Sequence, residues 1–237
     1  MIDLHCHFLP GIDDGAETLE QALQLARLAV ADGIAVSFMT PHIHQGWYDN
    51  ERHGIEAACV TFQAALGREG IPLLVRPGGE VRFGGEVMDL VEQDLVPYLG
   101  RLDGFRVMLL EFPHSHIPPG ADRLVRWLIG QRIRPLVAHP ERNKDLIKDP
   151  ERVRPFIDMG CLLQVTAGSV FGQFGPASMS VAAHYLDRDW VFVLATDAHD
   201  ARHRVPNLSR GRDYLAATGR PELAERLTRD NPARIAV

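Results

Sequence analysis

Histidine and carboxylate side chains follow six separate apolar runs of this chain, at intervals of roughly one strand plus one helix. In a parallel β/α barrel the carboxyl ends of all strands open onto one face, where the active site lies. Residues far apart in sequence are therefore predicted to converge in one cluster. The runs and their side chains are MIDLHCH with His5 and His7, FMTPH with His42, LLVRPGGE with Glu80, RVMLLEF with Glu111, RPLVAHPER with His139, and FVLATDAH with Asp197 and His199.

Strand-like and helix-like segments alternate along the chain, which predicts an α/β fold with parallel strand pairing. The first helix is the clearest, because Thr18 and Gln21 have the spacing of a capping box and Gly33 stands where a C-terminal glycine belongs. The apolar, β-rich runs are one fewer than an eightfold barrel contains. They lie at 2–4, 34–40, 73–76, 107–112, 134–138, 161–166 and 190–196, and further helices are predicted near 51–69, 86–93, 120–131, 150–158, 177–188, 207–218 and 221–229.

Length and composition limit the classes of protein to which this chain can belong. The 237 residues fit one large domain, so we predict a single domain over 1–237. A net charge of -6 argues against a nucleic-acid partner or attraction to an anionic membrane. We find neither a signal peptide nor a run long enough for a membrane helix. An odd number of cysteines without paired spacing (Cys6, Cys59 and Cys161) predicts a reducing, cytoplasmic location.

Two of the clusters place their side chains two residues apart. His5 and His7 would point to one face of a strand, with Cys6 directed away, and the later DAH segment repeats the spacing. Histidine with carboxylate suits manganese, iron or zinc better than a soft thiolate site does. Because the candidate ligands exceed the needs of one ion, we predict two or three divalent ions. Such a group clamps an anionic substrate, lowers the pKa of a water molecule and neutralises a leaving oxygen.

Eight segments carry a resemblance to a known family: MIDLHCHFLPGIDDGAETLEQAL, TPHIHQGWYDN, PGGEVRF, LLEFP, AHPERN, QVTAGSVFGQFG, ATDAH and NPARI. In this order they span nearly the whole chain. They resemble the bacterial manganese-dependent tyrosine phosphatases of capsule and exopolysaccharide operons, in the PHP (polymerase and histidinol phosphatase) superfamily. The resemblance implies a PHP-type distorted (β/α)7 TIM-like barrel with a trinuclear manganese site. One departure is Ile43, which stands where the family has a second histidine after TPH, with His44 following.

The resemblance also implies how the ligands divide among the ions. One ion would be held by His5, His7, Glu80 and Asp197; a second by Glu80, as a bridge, with Glu111 and His139; and a third by Asp14, His42 and His199. Asp13 is the alternative to Asp14, which the family spacing favours.

Two arginines are implied to contact the substrate phosphate. Arg142 matches the HPER segment well, and Arg204 lies in DAHDARHR, where Arg202 is the alternative. Bidentate guanidinium contacts would orient phosphate and strengthen as charge shifts during transfer. We interpret His114 in FPHSH as a loop side chain rather than a metal ligand. Near the mouth, Trp47 and Tyr48 would stack on a substrate ring or pack within their own loop.

These residues predict a metal-dependent protein-tyrosine phosphatase. Phenolate, whose conjugate acid has a pKa of about 10, leaves more easily than an alkoxide, so metal stabilisation could suffice without a strong general acid. The resemblance implies a phosphotyrosine-containing protein as substrate, namely the tyrosine-rich tail of a bacterial tyrosine kinase that controls capsule or exopolysaccharide synthesis. Nothing in the sequence indicates the oligomeric state.

Other functions fit the sequence less well. A histidinol-phosphate or other small phosphomonoester phosphatase would share the same ligands, and only the pocket rim would separate the two. A thiol mechanism needs Cys-x5-Arg, yet the residues six positions after the cysteines are Ile12, Ala65 and Ala167. An amidohydrolase with a carbamylated lysine is disfavoured, because Lys144 and Lys148 end no strand run. The absence of a nucleic-acid module disfavours a PHP nuclease. A non-enzymatic, metal-stabilised kinase-docking adaptor is expected to have lost ligands or arginines.

Overall fold

The computed structural model describes residues 1–236, in which strands and helices alternate; Val237, the last residue of the predicted domain, lies outside the described part. The strands are β1 (Ile2–Cys6), β2 (Val36–Met39), β3 (His42–Ile43), β4 (Leu74–Pro77), β5 (Glu80–Arg82), β6 (Gly100–Leu102), β7 (Phe105–Glu111), β8 (Ile133–Ala138), β9 (Leu162–Thr166) and β10 (Val191–Ala195). The helices are α1 (Leu19–Ala31), α2 (Arg52–Arg68), α3 (Val87–Glu92), α4 (Ala121–Gly130), α5 (Lys144–Lys148), α6 (Arg154–Asp158), α7 (Ala167–Val170), α8 (Gly175–Asp187), α9 (Leu208–Ala217), α10 (Pro221–Glu225) and α11 (Asn231–Ala236). Short 3₁₀ turns lie at Pro140–Arg142 and Pro150–Val153, and a π turn lies at Arg226–Asp230.

The strands form a parallel barrel with seven strand positions. One sheet has the order β1-β2-β4 and the other β10-β9-β8-β7-β5-β3, because β2 leads directly into β3 and β4 into β5. Beyond the end of β10 the barrel closes onto β1: the N–H of Asp197 donates to the oxygen of His5 at 2.8 Å, and the N–H of His7 to that of Ala198 at 2.9 Å. The predicted seven-stranded barrel is confirmed, with β6 added antiparallel to β7.

Two apolar clusters hold this barrel together. The smaller fills the barrel interior with side chains such as Leu4, Leu109 and Val193, and Ile235 of α11 packs against them from the C-terminal end of the chain. The larger joins the outer faces of the strands to the surrounding helices. Since the interior is packed with apolar side chains, polar ligands have room only at the mouth, where the strands end.

Helix α1 begins and ends as predicted, with two local differences. The hydroxyl oxygen of Thr18 accepts the N–H of Gln21 at 3.3 Å, and Gly33 adopts a φ of +87° after the helix. The capping box is not closed, because the Gln21 side chain accepts from the N–H of Glu17 rather than that of Thr18. Leu19 is apolar and would suit the buried face of the helix, but it is 43% exposed because it lies in the first turn.

Strand β1 carries an irregularity that bears on the ligands. Its pairing with β2 shifts register between Asp3 and Cys6. Leu4 belongs to the interior cluster, whereas Cys6 packs in the outer cluster with its Sγ donating to Phe38 O at 3.3 Å. A bulge of this kind redirects the side chains that follow it. The shift therefore turns the histidines on either side of Cys6 towards the barrel mouth.

Candidate metal centre

The loop after β1 lies against the end of that strand. Gly15 makes this possible, because a Cβ atom there would lie 2.0 Å from the carbonyl oxygen of His7. The N–H of Ala16 donates to the same oxygen at 3.2 Å. This close approach brings Asp13 and Asp14 to the strand end.

Four buried side chains direct one atom each at a common point. His5 Nε2 lies 3.1 Å from His7 Nε2. It lies 3.4 Å from Glu80 Oε2 and 3.3 Å from Asp197 Oδ1, and His7 Nε2 lies 3.6 and 3.5 Å from the same two oxygens. Tetrahedral coordination at about 2.1 Å separates ligand atoms by about 3.4 Å. The five separations are close to that value, as expected for ligands that share a divalent ion.

Each imidazole of this group is oriented by a hydrogen bond at its other ring nitrogen, Nδ1. The Nδ1–H of His5 donates to Gln164 Oε1 at 2.9 Å, and the Nδ1–H of His7 donates to Asp13 Oδ2 at 2.6 Å. Such contacts fix the ring and leave Nε2 as the metal-binding atom. Within residues 1–236 the buried Glu80 Oε2 accepts no hydrogen bond of proper geometry, although an imidazole nitrogen lies 2.9 Å away. A cation would satisfy this oxygen.

The other oxygen of Glu80 faces a second set of side chains. The Nε2–H of His139 donates to Glu80 Oε1 at 2.8 Å. Glu111 ends the neighbouring strand β7, and its ligand atoms lie within 4.8 Å of those of His42 and Glu80, and also of those of His114 and His139. Glu80 is thus placed between two groups of ligands, as the bridging role requires.

The third predicted group also comes together. Asp14 Oδ1 lies 3.3 Å from His42 Nε2 and 3.4 Å from His199 Nε2. Asp13 is turned away to the rear of His7, and its Oδ2 additionally accepts the N–H of His42 at 3.2 Å. The structure therefore brings Asp14, rather than Asp13, among the ligand atoms.

Both predicted phosphate-binding arginines meet the same carboxylate. Arg142 Nη1 and Arg204 Nη2 each donate to Asp197 Oδ2, the oxygen not directed at the imidazoles. The Arg142 guanidinium also lies over the ring of Phe174, 4.5 Å from its centroid. Arg202 instead lines a neighbouring groove. Of the two candidates in that loop, Arg204 is the one at the pocket.

A pocket of about 220 Å³ opens above these groups. It is lined by the predicted ligands and arginines except His5 and His7, which lie deeper. The rim adds His44, Tyr48, Arg82 and His114. Tyr48 stacks on the His42 ring at 5.5 Å, and Trp47, 78% exposed, stacks on that of His44 at 6.0 Å. Both aromatic side chains therefore pack on neighbouring histidines, and of the two only Tyr48 is among the residues that line the pocket.

Burial and neighbouring charges set the protonation of the ligands. Burial and the Arg142 guanidinium lower the pKa of His139 to about 3, and burial lowers the pKa of His199 to about 4. Both rings are neutral at pH 7, as metal binding requires. Burial, reinforced by the Glu80 carboxylate, raises the pKa of Glu111 to about 7.

Two other imidazoles show how strongly the carboxylates attract positive charge. Against the effect of burial, the Asp13 carboxylate raises the pKa of His7 to about 9. Against burial again, the Glu80 carboxylate raises the pKa of His42 to about 11. A proton on either ring and a divalent ion are competing ways to supply that charge, since the ligand must be neutral to bind.

Sequence reasoning missed two side chains that support the site, Gln164 and Arg82, and considered a third, Asp13, only as a ligand. Gln164 and Asp13 hold the rings of His5 and His7 from behind, and Arg82 Nη1 pairs with Glu111 Oε2 at 2.8 Å. A signal for Arg82 was present, because it lies two residues after Glu80 on one strand and so shares its face. A signal for Gln164 was its polarity within an apolar run.

The three cysteines lie apart from this chemistry. All are buried, and burial raises the pKa of Cys59 and Cys161 to about 12 and that of Cys6 well above its ordinary value. Buried neutral thiols are poor nucleophiles. This agrees with the missing Cys-x5-Arg spacing.

The chain matches the CpsB/CapC family of capsular polysaccharide synthesis over residues 1–236. It belongs to this family. The chain is 37% identical over 205 residues to the tyrosine-protein phosphatase YwqE of Bacillus subtilis (strain 168), and this match covers 86% of the chain and 79% of YwqE. It is 27% identical over 244 residues to the tyrosine-protein phosphatase CpsB of Streptococcus pneumoniae, covering 99% of this chain and 98% of CpsB. The resemblance predicted from the sequence is confirmed.

Solved structures agree with this membership. The protein superposes with a TM-score of 0.92 at 32% identity on one of the crystal structures of YwqE from Bacillus subtilis and CpsB from Streptococcus pneumoniae, which are described as unique metal-dependent tyrosine phosphatases. The match covers 100% of this chain and 94% of that one. The organophosphorus hydrolase of Deinococcus radiodurans shares the fold alone, with a TM-score of 0.57 at 16% identity over 100% and 92% of the two chains. Across residues 1–236, no helix is both long and apolar enough to span a membrane.

Proposed function

We propose that this chain is a metal-dependent protein-tyrosine phosphatase that hydrolyses phosphotyrosine in a protein substrate. The observation that carries the proposal is the convergence of the predicted ligands and of both arginines at the barrel mouth, with His5 and His7 beneath the small pocket that the others line. Membership of the CpsB/CapC family and the names of its relatives support phosphotyrosine as the substrate.

The proposal includes two or three divalent ions, with manganese favoured over iron or zinc. The first would be held by His5, His7, Glu80 and Asp197, the second by Glu80, Glu111 and His139, and the third by Asp14, His42 and His199. Such ions activate a water molecule and stabilise the charge on the transferred phosphoryl group and the leaving oxygen.

The residues of the chain orient the substrate. Arg142 and Arg204 approach from one side, where their shared contact with Asp197 aims both guanidinium groups at the pocket. The remaining donors of each planar group are suited to two phosphate oxygens at once. In a partly buried site these charge-assisted contacts strengthen as negative charge shifts during phosphoryl transfer.

Departure of the leaving group does not require a strong acid. Burial and the Arg142 guanidinium lower the pKa of His114, the imidazole at the rim, so this ring is neutral at pH 7. A phenol has a pKa of about 10, far below that of an aliphatic alcohol, so phenolate departs without prior protonation. The rim is therefore better suited to a phosphotyrosine than to a phosphoserine.

A small phosphomonoester such as histidinol phosphate remains the second candidate, because its hydrolysis would use the same ligand groups. The adaptor alternative has less support, since the ligand groups and both arginines are in place. We further propose that 1–237 acts as one cytoplasmic domain. Its proposed substrate is the tyrosine-rich tail of a bacterial tyrosine kinase in capsule or exopolysaccharide synthesis.

A comparison of substrates tests the proposal. Protein with a defined manganese content would be supplied with a phosphotyrosine peptide, the matching phosphoserine peptide and histidinol phosphate, and kcat/KM would be measured for each. We expect the phosphotyrosine peptide to be hydrolysed most efficiently. A strong preference for histidinol phosphate would overturn the protein-phosphatase assignment and leave the metal centre standing.

A further inference from the structure

A second, larger groove adjoins the metal pocket. It encloses about 510 Å³ between the start of α1 and the loop that follows β10. Asp14 and His199 line both this groove and the metal pocket, so the two spaces adjoin at the third predicted metal group. Apart from Arg202, the alternative to Arg204 in the sequence, the rest of its lining has no predicted role.

The sizes of the two spaces bear on the substrate. Pockets that enclose drug-sized ligands measure roughly 300–1,000 Å³. The metal pocket, at about 220 Å³, is below that range and leaves room for little more than a phosphate and part of a ring. A polypeptide substrate must therefore continue outside it, and the groove of about 510 Å³ is a continuation of suitable size.

Local hydrogen bonds shape both walls of the groove. On one side, Asp200 Oδ1 accepts the N–H groups of Arg202 and His203 at 2.7 and 2.6 Å, and its Oδ2 accepts that of Arg204 at 3.2 Å. On the other side, the cap by Thr18 fixes the first turn of α1. A groove whose walls are already ordered loses little conformational entropy when a ligand binds.

Polar side chains along the groove have unused hydrogen-bonding groups. Within residues 1–236, the amide of Gln24 and the guanidinium of Arg202 make no hydrogen bond, and the Gln21 amide uses only its oxygen. Amide side chains offer a donor and an acceptor, which match the C=O and N–H of an extended peptide. Acidic and basic residues are mixed here, with Glu17 and Asp200 near Arg202, so charge alone selects no particular flanking side chain.

We propose that this groove binds the main chain of the substrate next to the phosphotyrosine. The inference rests on the proposed function and deepens it, because it identifies the substrate as an extended polypeptide and gives its path across the surface. Gln24 and Arg202 donate to peptide carbonyl groups, while the phosphate occupies the neighbouring pocket. A phosphomonoester without a peptide does not use the groove.

The proposal is tested by replacing two exposed side chains, singly in Gln24→Ala and Arg202→Ala and together in the double variant. We would measure kcat/KM on a phosphotyrosine decapeptide and on para-nitrophenyl phosphate, with manganese content and melting temperature matched to the original protein. Loss of hydrogen bonds to the peptide should lower kcat/KM for the decapeptide about tenfold in the double variant. Activity on para-nitrophenyl phosphate should stay within about twofold. Gln45→Ala, at an exposed position on the other side of Tyr48, is the control and should change neither activity.

The outcomes separate this inference from the proposed function. Equal activity of the double variant and the original protein on the decapeptide would overturn the groove. So would an equal loss on both substrates, since Arg202 would then act on the phosphate itself. If the unaltered protein hydrolyses para-nitrophenyl phosphate but not the decapeptide, the proposed function fails and the groove fails with it.

Discussion

At the scale of single residues, Asp197 shows how one side chain connects the ligands to the arginines. Its Oδ1 faces His5 and His7, and its Oδ2 accepts from Arg142 and Arg204. Its backbone φ of +52° lies in the left-handed region, which non-glycine residues seldom adopt outside special sites. Each arginine therefore restrains this side chain and, in the proposed function, would also contact the substrate phosphate.

Removing Arg142 should lower phosphotyrosine turnover. A lost charge-assisted contact weakens transition-state binding by roughly 1.5–3 kcal/mol, so Arg142→Ala should reduce kcat/KM about ten- to a few hundredfold. Arg142→Lys should restore only part of the loss, because ammonium is not a planar, bidentate donor. Arg126→Ala, on the exposed face of α4, is the control. Unchanged kinetics in Arg142→Ala at equal metal content would remove this residue from the site.

Asp13 should affect metal binding without being a ligand. Asp13→Asn replaces the carboxylate that holds His7 Nδ1 at 2.6 Å, and the loss of such a contact typically weakens metal affinity or activity by about 10–100-fold. The measurement is a manganese titration followed by calorimetry, with the exposed Asp89→Asn as control. An affinity equal to that of the original protein would show that the His7 ring is fixed by other contacts.

The cysteines should be dispensable for catalysis. Cys6→Ser keeps a donor for Phe38 O, which the thiol contacts at 3.3 Å, and the nearby ligands are unaltered. We expect this variant and the triple Cys→Ser variant to retain most of their kcat when folding and metal content are matched. Selective loss of kcat in Cys6→Ser, with its metals still bound, would require a different mechanism.

At the scale of secondary-structure elements, the apolar runs predicted the barrel strands well, because parallel strands buried on both faces are nearly continuous hydrophobic segments. The sequence did not predict the short helices α5 and α7 or the antiparallel strand β6, since segments of three to five residues have too little periodicity. The roles of Asp13 and Asp14 also remained open. They depend on how closely the loop approaches β1, which is a tertiary contact.

Gly15 should be essential to that loop. In Gly15→Ala the new Cβ would meet His7 O at 2.0 Å, so the loop must shift, and overpacking of this kind lowers the free energy of unfolding by about 1–3 kcal/mol. Bound manganese should fall as well, because the loop carries Asp14. Gly54→Ala, within α2 and with no atom near its added Cβ, should instead raise stability by about 0.4–1 kcal/mol. Urea unfolding and elemental analysis measure both effects, and a Gly15→Ala protein with full stability and metal content would contradict the account.

At the scale of the whole molecule, the barrel explains how ligands spread from His5 to His199 share one pocket. Seven strand positions end on one face, so the strand-end rule predicted the meeting of eight of the nine candidate ligands, and the ninth, Asp14, was implied by the family resemblance. The groove beside the pocket was not predictable in this way, because it arises from the packing of the loop after β10 against α1.

The most direct test of the account is phosphotyrosine-peptide turnover as a function of bound manganese. The protein would be stripped with a chelator, verified as metal-free by elemental analysis, and reloaded stepwise while the initial rate is recorded. We expect no turnover without metal and a rise to full activity at two or three ions per chain. Glu80→Gln should fail to recover, because both oxygens of that carboxylate face ligand groups. Full activity in demonstrably metal-free protein would contradict the central claim.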